Sequence, residues 1–155
     1  MTKQKNSIQN YLEVESAVGV ALMLATKSEP HKYLFAHDFD WLIIPPIGLK
    51  QFKIFRDEKN YPIAFISWAK LNEECEKRIL SGMKKLRPGD WKNGDNIWII
   101  DILGNPRHHT NILHQLKKQE FPTQEVFIPQ PSENGKLVKS NLQDVLNAYE
   151  EQEEK

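Results

Sequence analysis

The stretch NIWIIDILGNPRHHTN, residues 96–111, decides how this chain folds. Nearly every position of its first half, NIWIIDIL, is apolar, which is typical of a strand buried on both faces in the middle of a sheet. GNPRHHTN then forms a loop before a short helix over 112–119. We therefore place this strand at the centre of the molecule, with Asp101 as the charged residue inside it.

The patterns on either side of this strand predict a mixed sheet. QFKIFRD, residues 51–57, and YPIAFISWAKL, residues 61–71, read as two strands joined by a short polar turn, which is a hairpin. The other predicted elements are helices over 8–26, 33–44 and 73–86, strands over 123–130 and 136–140, and a last helix capped by Asn141. The predicted inner faces are Cys75, Ile79, Met83 and Leu86 in the third helix, and Leu142, Val145, Leu146 and Tyr149 in the last. A hairpin followed by strand–helix alternation indicates an α/β (α+β) fold, a mixed central sheet flanked by helices in one domain over 1–155, with 1–7 and 150–155 loose.

Composition and charge exclude several classes of protein. Lys+Arg and Asp+Glu both number 21, so the chain lacks the basic excess of a nucleic-acid binder, and the lysine and arginine clusters at 84–87 and 117–118 are read as solvated faces. Cys75 is the single cysteine, so no internal disulfide is expected, and its helical spacing favours a core position. The sequence contains no run of about 18 apolar residues, so no membrane span is predicted. Glu13 and Glu15 precede the apolar segment 16–25, where a signal peptide would carry positive charge, so a cytoplasmic location is expected.

Asp101 and His31 are the residues whose chemistry stands out. A carboxylate inside a buried strand costs several kcal/mol unless it is paired, so Asp101 either lies at an exposed strand end or orients a nearby base. His31 follows Pro30 at a helix boundary, where a rigid turn would hold a general base, although local chemistry alone favours a surface or capping histidine. His37, next to Asp38, is a second candidate of the same kind.

The loop between the central strand and the next helix is a candidate anion site. Its backbone amides at Gly104, with Arg107, Thr110 and Asn111, could hold a phosphate group, although many such loops hold nothing. His108 and His109 are adjacent, and His114 is five residues beyond His109, which misses the spacing for two metal ligands on one helix face. No metal site is therefore predicted, and the role of these histidines stays open. The GxSxG, P-loop and GxGxxG patterns are also missing from the sequence.

Three segments resemble the RTX toxin-activating lysine acyltransferases, a family that includes the hemolysin-activating enzymes. They are RDEKNYPIAFISWAKLNEE at 56–74, GDWKNGDNIWIIDILGN at 89–105 and LKKQEFP at 116–122. The matching positions are Tyr61, Pro62, Ala64, Ser67, Trp68, Ala69 and Leu71, then Asp90, Trp91, Gly94, Asp95, Trp98, Ile100 and Asp101. The resemblance covers roughly residues 28–122, and the coinciding tryptophans make it specific.

The resemblance implies a GNAT-like acyltransferase fold and a protein-lysine fatty acyltransferase without a bound cofactor. The donor would be a fatty acyl group on acyl carrier protein, and the acceptor an internal lysine of an RTX-type protoxin; members are often dimeric, so a homodimer is expected. His31, on a Ser-Glu-Pro-His turn where the family has Ser-Pro-x-His, would be the general base, with Asp101 orienting it. Ser28, Ser67 and Trp68 join the loop residues Gly104, Arg107, Thr110 and Asn111 as expected substrate contacts. The alternatives are an acyltransferase with a non-toxin acceptor and a non-catalytic carrier-protein-binding module of the same fold.

Overall fold

A computed structural model describes the backbone of residues 2–155 and the side chains from residue 10 onward. The helices are α1 (Thr2–Ala25), α2 (Ala36–Leu42), α3 (Ile44–Gly48), α4 (Glu73–Leu80), α5 (His109–Glu120) and α6 (Leu142–Glu153). The strands are β1 (Phe52–Arg56), β2 (Pro62–Leu71), β3 (Asn96–Gly104), β4 (Val126–Pro131) and β5 (Leu137–Asn141). Two 3₁₀ turns, Pro88–Trp91 and Pro106–His108, lie on either side of β3.

The five strands form one mixed sheet in the order β1-β2-β3-β4-β5. β1, β2 and β3 pair antiparallel, β3 and β4 pair parallel, and β4 and β5 form an antiparallel hairpin. The parallel pair is connected through α5, as a crossover between parallel strands requires. The predicted hairpin and the central position of NIWIIDIL are confirmed, and the architecture is consistent with the implied GNAT-like fold.

Helices cover both faces of the sheet. On one face, Ile97 and Ile99 of β3 pack with Ile112 and Leu116 of α5 and with residues of α6. On the other face, apolar side chains of β2 and β3 pack against α1, α2 and α3. A third cluster joins Trp98 to α4 and includes the buried Cys75, which confirms the predicted core position of this cysteine.

A bulge in β3 decides which way Asp101 points. Ser67 of β2 pairs with Asp101, and Trp68 pairs with Ile99, so Ile100 is an extra residue in β3. An extra residue interrupts the alternation of side chains between the two faces of the sheet. Each residue beyond the bulge therefore faces the side opposite to the one that it would face in an unbroken strand. Ile102 accordingly packs on the α5 and α6 face and Leu103 on the α1 face. Asp101 therefore lies on the α1 face, together with Leu103.

Two predicted helix boundaries in the first half of the chain were wrong. The helix predicted over 33–44 begins at Ala36. Pro45 and Pro46, which were predicted to end it, instead lie in the first turn of α3. A proline is tolerated there because the N–H groups of a first turn have no partner within the helix. The helix predicted over 73–86 ends at Leu80, and the chain then turns through Gly82 at φ +95°. Met83, predicted to face the core, is consequently exposed, although Leu86 returns to it.

The chain ends also differ from the predicted boundaries. α1 begins at Thr2 instead of residue 8, and α6 continues to Glu153. Tyr149 of α6 is exposed and not on the inner face as predicted. Within residues 2–155, no helix combines the length and apolar character needed to cross a bilayer.

Candidate active site

His31 is held by a tight turn directly after α1. The Ser28 carbonyl accepts hydrogen bonds from the backbone N–H groups of His31 at 2.9 Å and Lys32 at 3.0 Å. Pro30 fixes one backbone angle of the same turn. The turn directs the imidazole inward, and His31 is only 8% exposed.

The imidazole of His31 contacts the carboxylate of Asp101 across 70 positions of sequence. Its Nε2 lies 2.8 Å from both Oδ1 and Oδ2 of Asp101. A carboxylate can only accept, so Nε2 carries the hydrogen that joins the two groups. The backbone N–H of Ile102 also donates to Oδ1 at 3.0 Å, which partly offsets the burial of a side chain that is 18% exposed. The proximity expected for the two proposed catalytic residues is therefore present.

Ser28 occupies the other side of the His31 ring. Its Oγ lies 2.6 Å from Nδ1, and Ser28 is 1% exposed. With hydrogen on Nε2, Nδ1 accepts and the Ser28 hydroxyl donates. Asp101, His31 and Ser28 thus form a continuous hydrogen-bonded chain, in which Ser28 contacts the histidine from a position closed to solvent.

The predicted contacts on β2 lie in different surroundings. Ser67 is fully buried beside Asp101 in the strand register, and its Oγ has no hydrogen-bond partner among the described residues. Trp68 packs in the core, with its ring edge-on to Phe121 at 5.2 Å between centroids. The structure brings Ser67 to the site, whereas the predicted substrate contact of Trp68 stays a prediction.

The end of β3 is shaped by Gly104. Its φ of +126° is one that side chains rarely tolerate, and a Cβ there would lie 2.3 Å from the Ile63 carbonyl oxygen. This close approach lets the chain leave β3 and enter the 3₁₀ turn, where the Asn105 side chain accepts from the backbone N–H of Arg107. Arg107 is exposed, and Thr110 and Asn111 lie in the first turn of α5. Their binding of an anion stays a prediction.

His109 is a further histidine of this region that sequence reasoning did not select. It is the first residue of α5, its ring is partly buried, and Nε2 is buried without a hydrogen-bond partner in the described part of the chain. Burial lowers its pKa below the ordinary value, His31 and His108 lower it further, and the Gly104 backbone and Asp101 act in the opposite direction. The sequence feature that could have drawn attention to it is the adjacent pair His108 and His109, shortly after the central strand.

The other two histidines of this region do not join the pair. His108 accepts from Nε of Arg107 at 3.2 Å, and Nε2 of His114 lies 3.4 Å from Glu150. Among the described residues, no three His, Cys, Asp or Glu side chains are grouped so that they could hold a metal ion. The group in this region suited to acid–base chemistry is therefore the imidazole of His31, held between a carboxylate and a hydroxyl.

A histidine hydrogen-bonded to a partly buried carboxylate is an arrangement that can remove a proton from a nucleophile. The model of the RTX toxin acyltransferase family matches residues 10–141, and the chain belongs to this family. The resemblance seen in the tryptophan-containing segments is confirmed, and the chain is an acyltransferase by family.

Three relatives illustrate the range of similarity. The lysine-acyltransferase RtxC of Vibrio cholerae is 30% identical over 112 residues, which are 70% of this chain and 71% of the relative. The leukotoxin-activating lysine-acyltransferase LktC (serotype A1) of Mannheimia haemolytica is 35% identical over 61% of this chain and 58% of the relative. The protein-lysine myristoyltransferase RtxC of Kingella kingae is 37% identical over 56% and 51%. The matched segments thus span between about half and seven tenths of these relatives.

Proposed function

We propose that this protein is a protein-lysine fatty acyltransferase, with His31 as general base and Asp101 as the residue that orients it. The observation that carries the proposal is the 2.8 Å contact between His31 and Asp101 in a chain of an acyltransferase family. The relatives named as lysine acyltransferases and as a protein-lysine myristoyltransferase support a lysine acceptor and a fatty acyl donor.

The reaction explains why a base is needed. The side-chain amine of lysine has an ordinary pKa of about 10.4, so at neutral pH it is an ammonium without a free electron pair. It must lose a proton before its nitrogen attacks the thioester carbonyl, and an imidazole can accept that proton. When His31 becomes an imidazolium, the negative charge of Asp101 stabilises it and keeps the ring in place.

The proposed donor is an acyl thioester of acyl carrier protein. Such a donor reaches an active site through a phosphate-bearing arm. Arg107, Thr110 and Asn111 lie in the segment that follows the end of β3, a few residues beyond Asp101. The basic side chain of Arg107 and the N-terminal end of α5 suit that arm. No cofactor is part of the proposed mechanism.

The proposed acceptor is an internal lysine of an RTX-type protoxin, modified in the cytoplasm before export. The printed name of the leukotoxin-activating relative supports a toxin as acceptor. A homodimer is part of the proposal, because members of the family often pair. Transfer to another protein or to a small amine would identify the alternative acceptor, and carrier-protein binding without transfer would identify a non-catalytic binding module.

The test is an acylation assay followed by intact-mass measurement. The protein is incubated with an acyl-carrier-protein thioester and a candidate protoxin, and a mass gain of one acyl group on the protoxin is expected. His31→Ala and Asp101→Ala should each lower the rate by about 10²–10⁴-fold, the range of a lost acid–base group. His114→Ala, which removes a histidine paired with Glu150 instead of Asp101, is the matched control. Full activity in both site variants would contradict the proposal.

A further inference from the structure

A cleft of about 530 Å³ lies where α2 meets the segment over 83–87, which precedes the 3₁₀ turn before β3. Three exposed cations of this segment line it, namely Lys84, Lys85 and Arg87. Trp41 lines it from α2, and Nζ of Lys85 lies 5.8 Å from the centre of the Trp41 ring, which is within cation–π distance. We call this surface the basic cleft. Its lining is separate from the pair formed by His31 and Asp101.

The charge of the basic cleft is unbalanced. Lys84, Lys85 and Arg87 form no ion pair with any described residue, whereas four other cations of the described chain do: Lys32, Lys53, Arg78 and Lys139. Among the described residues that line the cleft, Asp40 carries the only negative charge. The whole chain has 21 basic and 21 acidic residues, so this positive excess is local.

An excess of cations in a cleft attracts acidic partners. A cleft lined by one sign of charge concentrates its field on a molecule of the opposite charge. Met83 also lines the cleft and is 57% exposed, so apolar contact is offered beside the charges. Tryptophan, methionine and arginine are enriched where proteins bind each other. The basic cleft is therefore suited to a protein segment that carries carboxylates.

The basic cleft lies toward the opposite end of β3 from the segment proposed for the donor arm. That arm segment follows Gly104, the last residue of β3. Leu86 of the cleft belongs to the same buried cluster as Leu71, which pairs with Asn96, the first residue of β3. Asp101 lies between these two ends. A donor that enters from the α5 end therefore leaves the cleft end for the acceptor.

α2 connects the basic cleft to the proposed general base. This helix begins at Ala36, shortly after the turn that holds His31. Trp41 of the same helix packs against the apolar cluster on the α1 face of the sheet, which is the face on which Asp101 lies. A chain bound in the cleft can therefore follow α2 toward His31.

We propose that the basic cleft binds an acidic segment of the acceptor protein, beside the lysine that receives the acyl group. The inference rests on the proposed acyl transfer and names a binding surface for its second substrate. Carboxylates of the acceptor pair with Lys84, Lys85 and Arg87, and apolar atoms of the same segment pack against Trp41 and Met83. Charge pairs at an exposed surface steer association and select partners more than they add affinity. The cleft therefore acts on the capture of the acceptor and not on the acyl-transfer step.

A charge-reversal variant, Lys84→Glu with Arg87→Glu, tests this role in the acylation assay with an acyl-carrier-protein thioester and a candidate protoxin. Both side chains are exposed, so the variant should fold, which circular dichroism checks. At low salt we expect KM for the protoxin to rise about five- to tenfold, with kcat and KM for the donor nearly unchanged. The difference should shrink as the salt concentration is raised. Lys118→Glu with Lys136→Glu is the matched control, since it changes the net charge equally at exposed lysines outside the cleft.

Three kinetic results would overturn the inference. A rise in KM for the donor in place of the acceptor would mean that the cleft binds the carrier protein. Unchanged KM values for both substrates would mean that it binds neither. An equal rise in the control variant would mean that net charge alone explains the effect.

Binding of two synthetic peptides gives a measurement without turnover. Each peptide has one central lysine, flanked by aspartates in one peptide and by asparagines in the other. In titration calorimetry at low salt, the wild-type protein should bind the aspartate peptide about fivefold or more tightly than the asparagine peptide, and Lys84→Glu with Arg87→Glu should lose this preference. Equal binding of the two peptides by the wild type, or a preference kept by the variant, would contradict the proposed cleft.

The two proposals can fail separately. If the wild-type protein transfers no acyl group to any acceptor, the proposed function fails, and the acceptor role of the basic cleft fails with it. If the wild type transfers normally and the charge-reversal variant keeps the same KM for the protoxin, only the role of the basic cleft fails.

Discussion

Asp101 is a partly buried carboxylate whose charge is stabilised by hydrogen bonds from two different elements. The Ile102 N–H donates to it from its own strand, and the His31 ring donates from the turn after α1. Removing either hydrogen-bond donor would leave part of the Asp101 carboxylate desolvated without a partner, which would lower the stability of the folded state. The same contacts that stabilise the carboxylate also fix the orientation and the tautomer of His31.

Asp101→Asn tests this orientation at the scale of one atom. The asparagine has nearly the same shape, but its NH₂ group cannot accept from Nε2, so the ring is favoured in the wrong tautomer. We expect kcat/KM to fall by about 10³–10⁴-fold, the size of the corresponding change in a serine-protease triad, with circular dichroism and melting showing a folded protein. A loss of less than tenfold would show that the carboxylate does not set the tautomer.

Ser28→Ala tests the other side of the His31 ring. Deleting the hydroxyl removes a hydrogen bond worth about 1 kcal/mol, so the rate should fall roughly five- to tenfold. Because Ser28 is closed to solvent, the change should appear in kcat, with KM for the acceptor nearly unchanged. Ser81→Ala, at an exposed serine, is the control. A raised KM with normal kcat would instead favour the predicted substrate contact.

At the scale of elements, the end of β3 connects the pair to the next helix. Asp101 and the first turn of α5 are separated by Gly104 and a 3₁₀ turn. The close approach of Gly104 to the Ile63 carbonyl of β2 holds this connection against the sheet. The path of the chain from Asp101 into α5 therefore depends on one glycine.

Gly104→Ala should destabilise the protein markedly. An alanine would adopt an unfavourable positive φ and press its Cβ into the backbone of β2. Together these effects should cost about 2–4 kcal/mol in the free energy of unfolding, measured by urea denaturation. Gly48→Ala is the control, because a Cβ there meets nothing within 4 Å. Equal stability of the two variants would contradict the proposed role of the close approach.

At the scale of the whole molecule, a charged contact joins α4 to the turn before β3. Nη2 of Arg78 lies 2.6 Å from Oδ2 of Asp90, and the same oxygen accepts from the backbone N–H of Arg87 at 2.8 Å. Burial alone would raise the pKa of Asp90, but the bonds from Arg78 and Arg87 outweigh it and hold this pKa below its ordinary value of 3.8. This contact secures the segment that leads into the central strand.

Asp90→Asn should weaken the acid dependence of folding. A carboxyl whose pKa is lowered in the folded state stabilises that state above the ordinary pKa, and this contribution is lost as the pH falls through the folded-state pKa. Urea denaturation should therefore show the variant less stable than wild type at pH 7, with the difference shrinking below about pH 4. Asp40→Asn, at an exposed carboxylate, is the control. An equal difference at pH 7 and at pH 3 would contradict the proposed contact.

The sequence by itself determined the central position of NIWIIDIL, the β1–β2 hairpin, the Asn141 cap and the core position of Cys75. These features follow from local patterns of apolar, turn and capping residues, which act over a few positions. The candidate roles of His31 and Asp101 came from the family resemblance, since local chemistry left both open. The end of α4 was missed because apolar spacing continued to Met83 after the helix had ended at Leu80.

Only the tertiary structure decided which face Asp101 occupies and which histidine accompanies it. The bulge at Ile100 depends on the pairing of β3 with β2, and without it Asp101 would face α5 and α6. The contact of Asp101 with His31 spans 70 positions of the sequence. No local pattern encodes these features, because each depends on how separate elements meet.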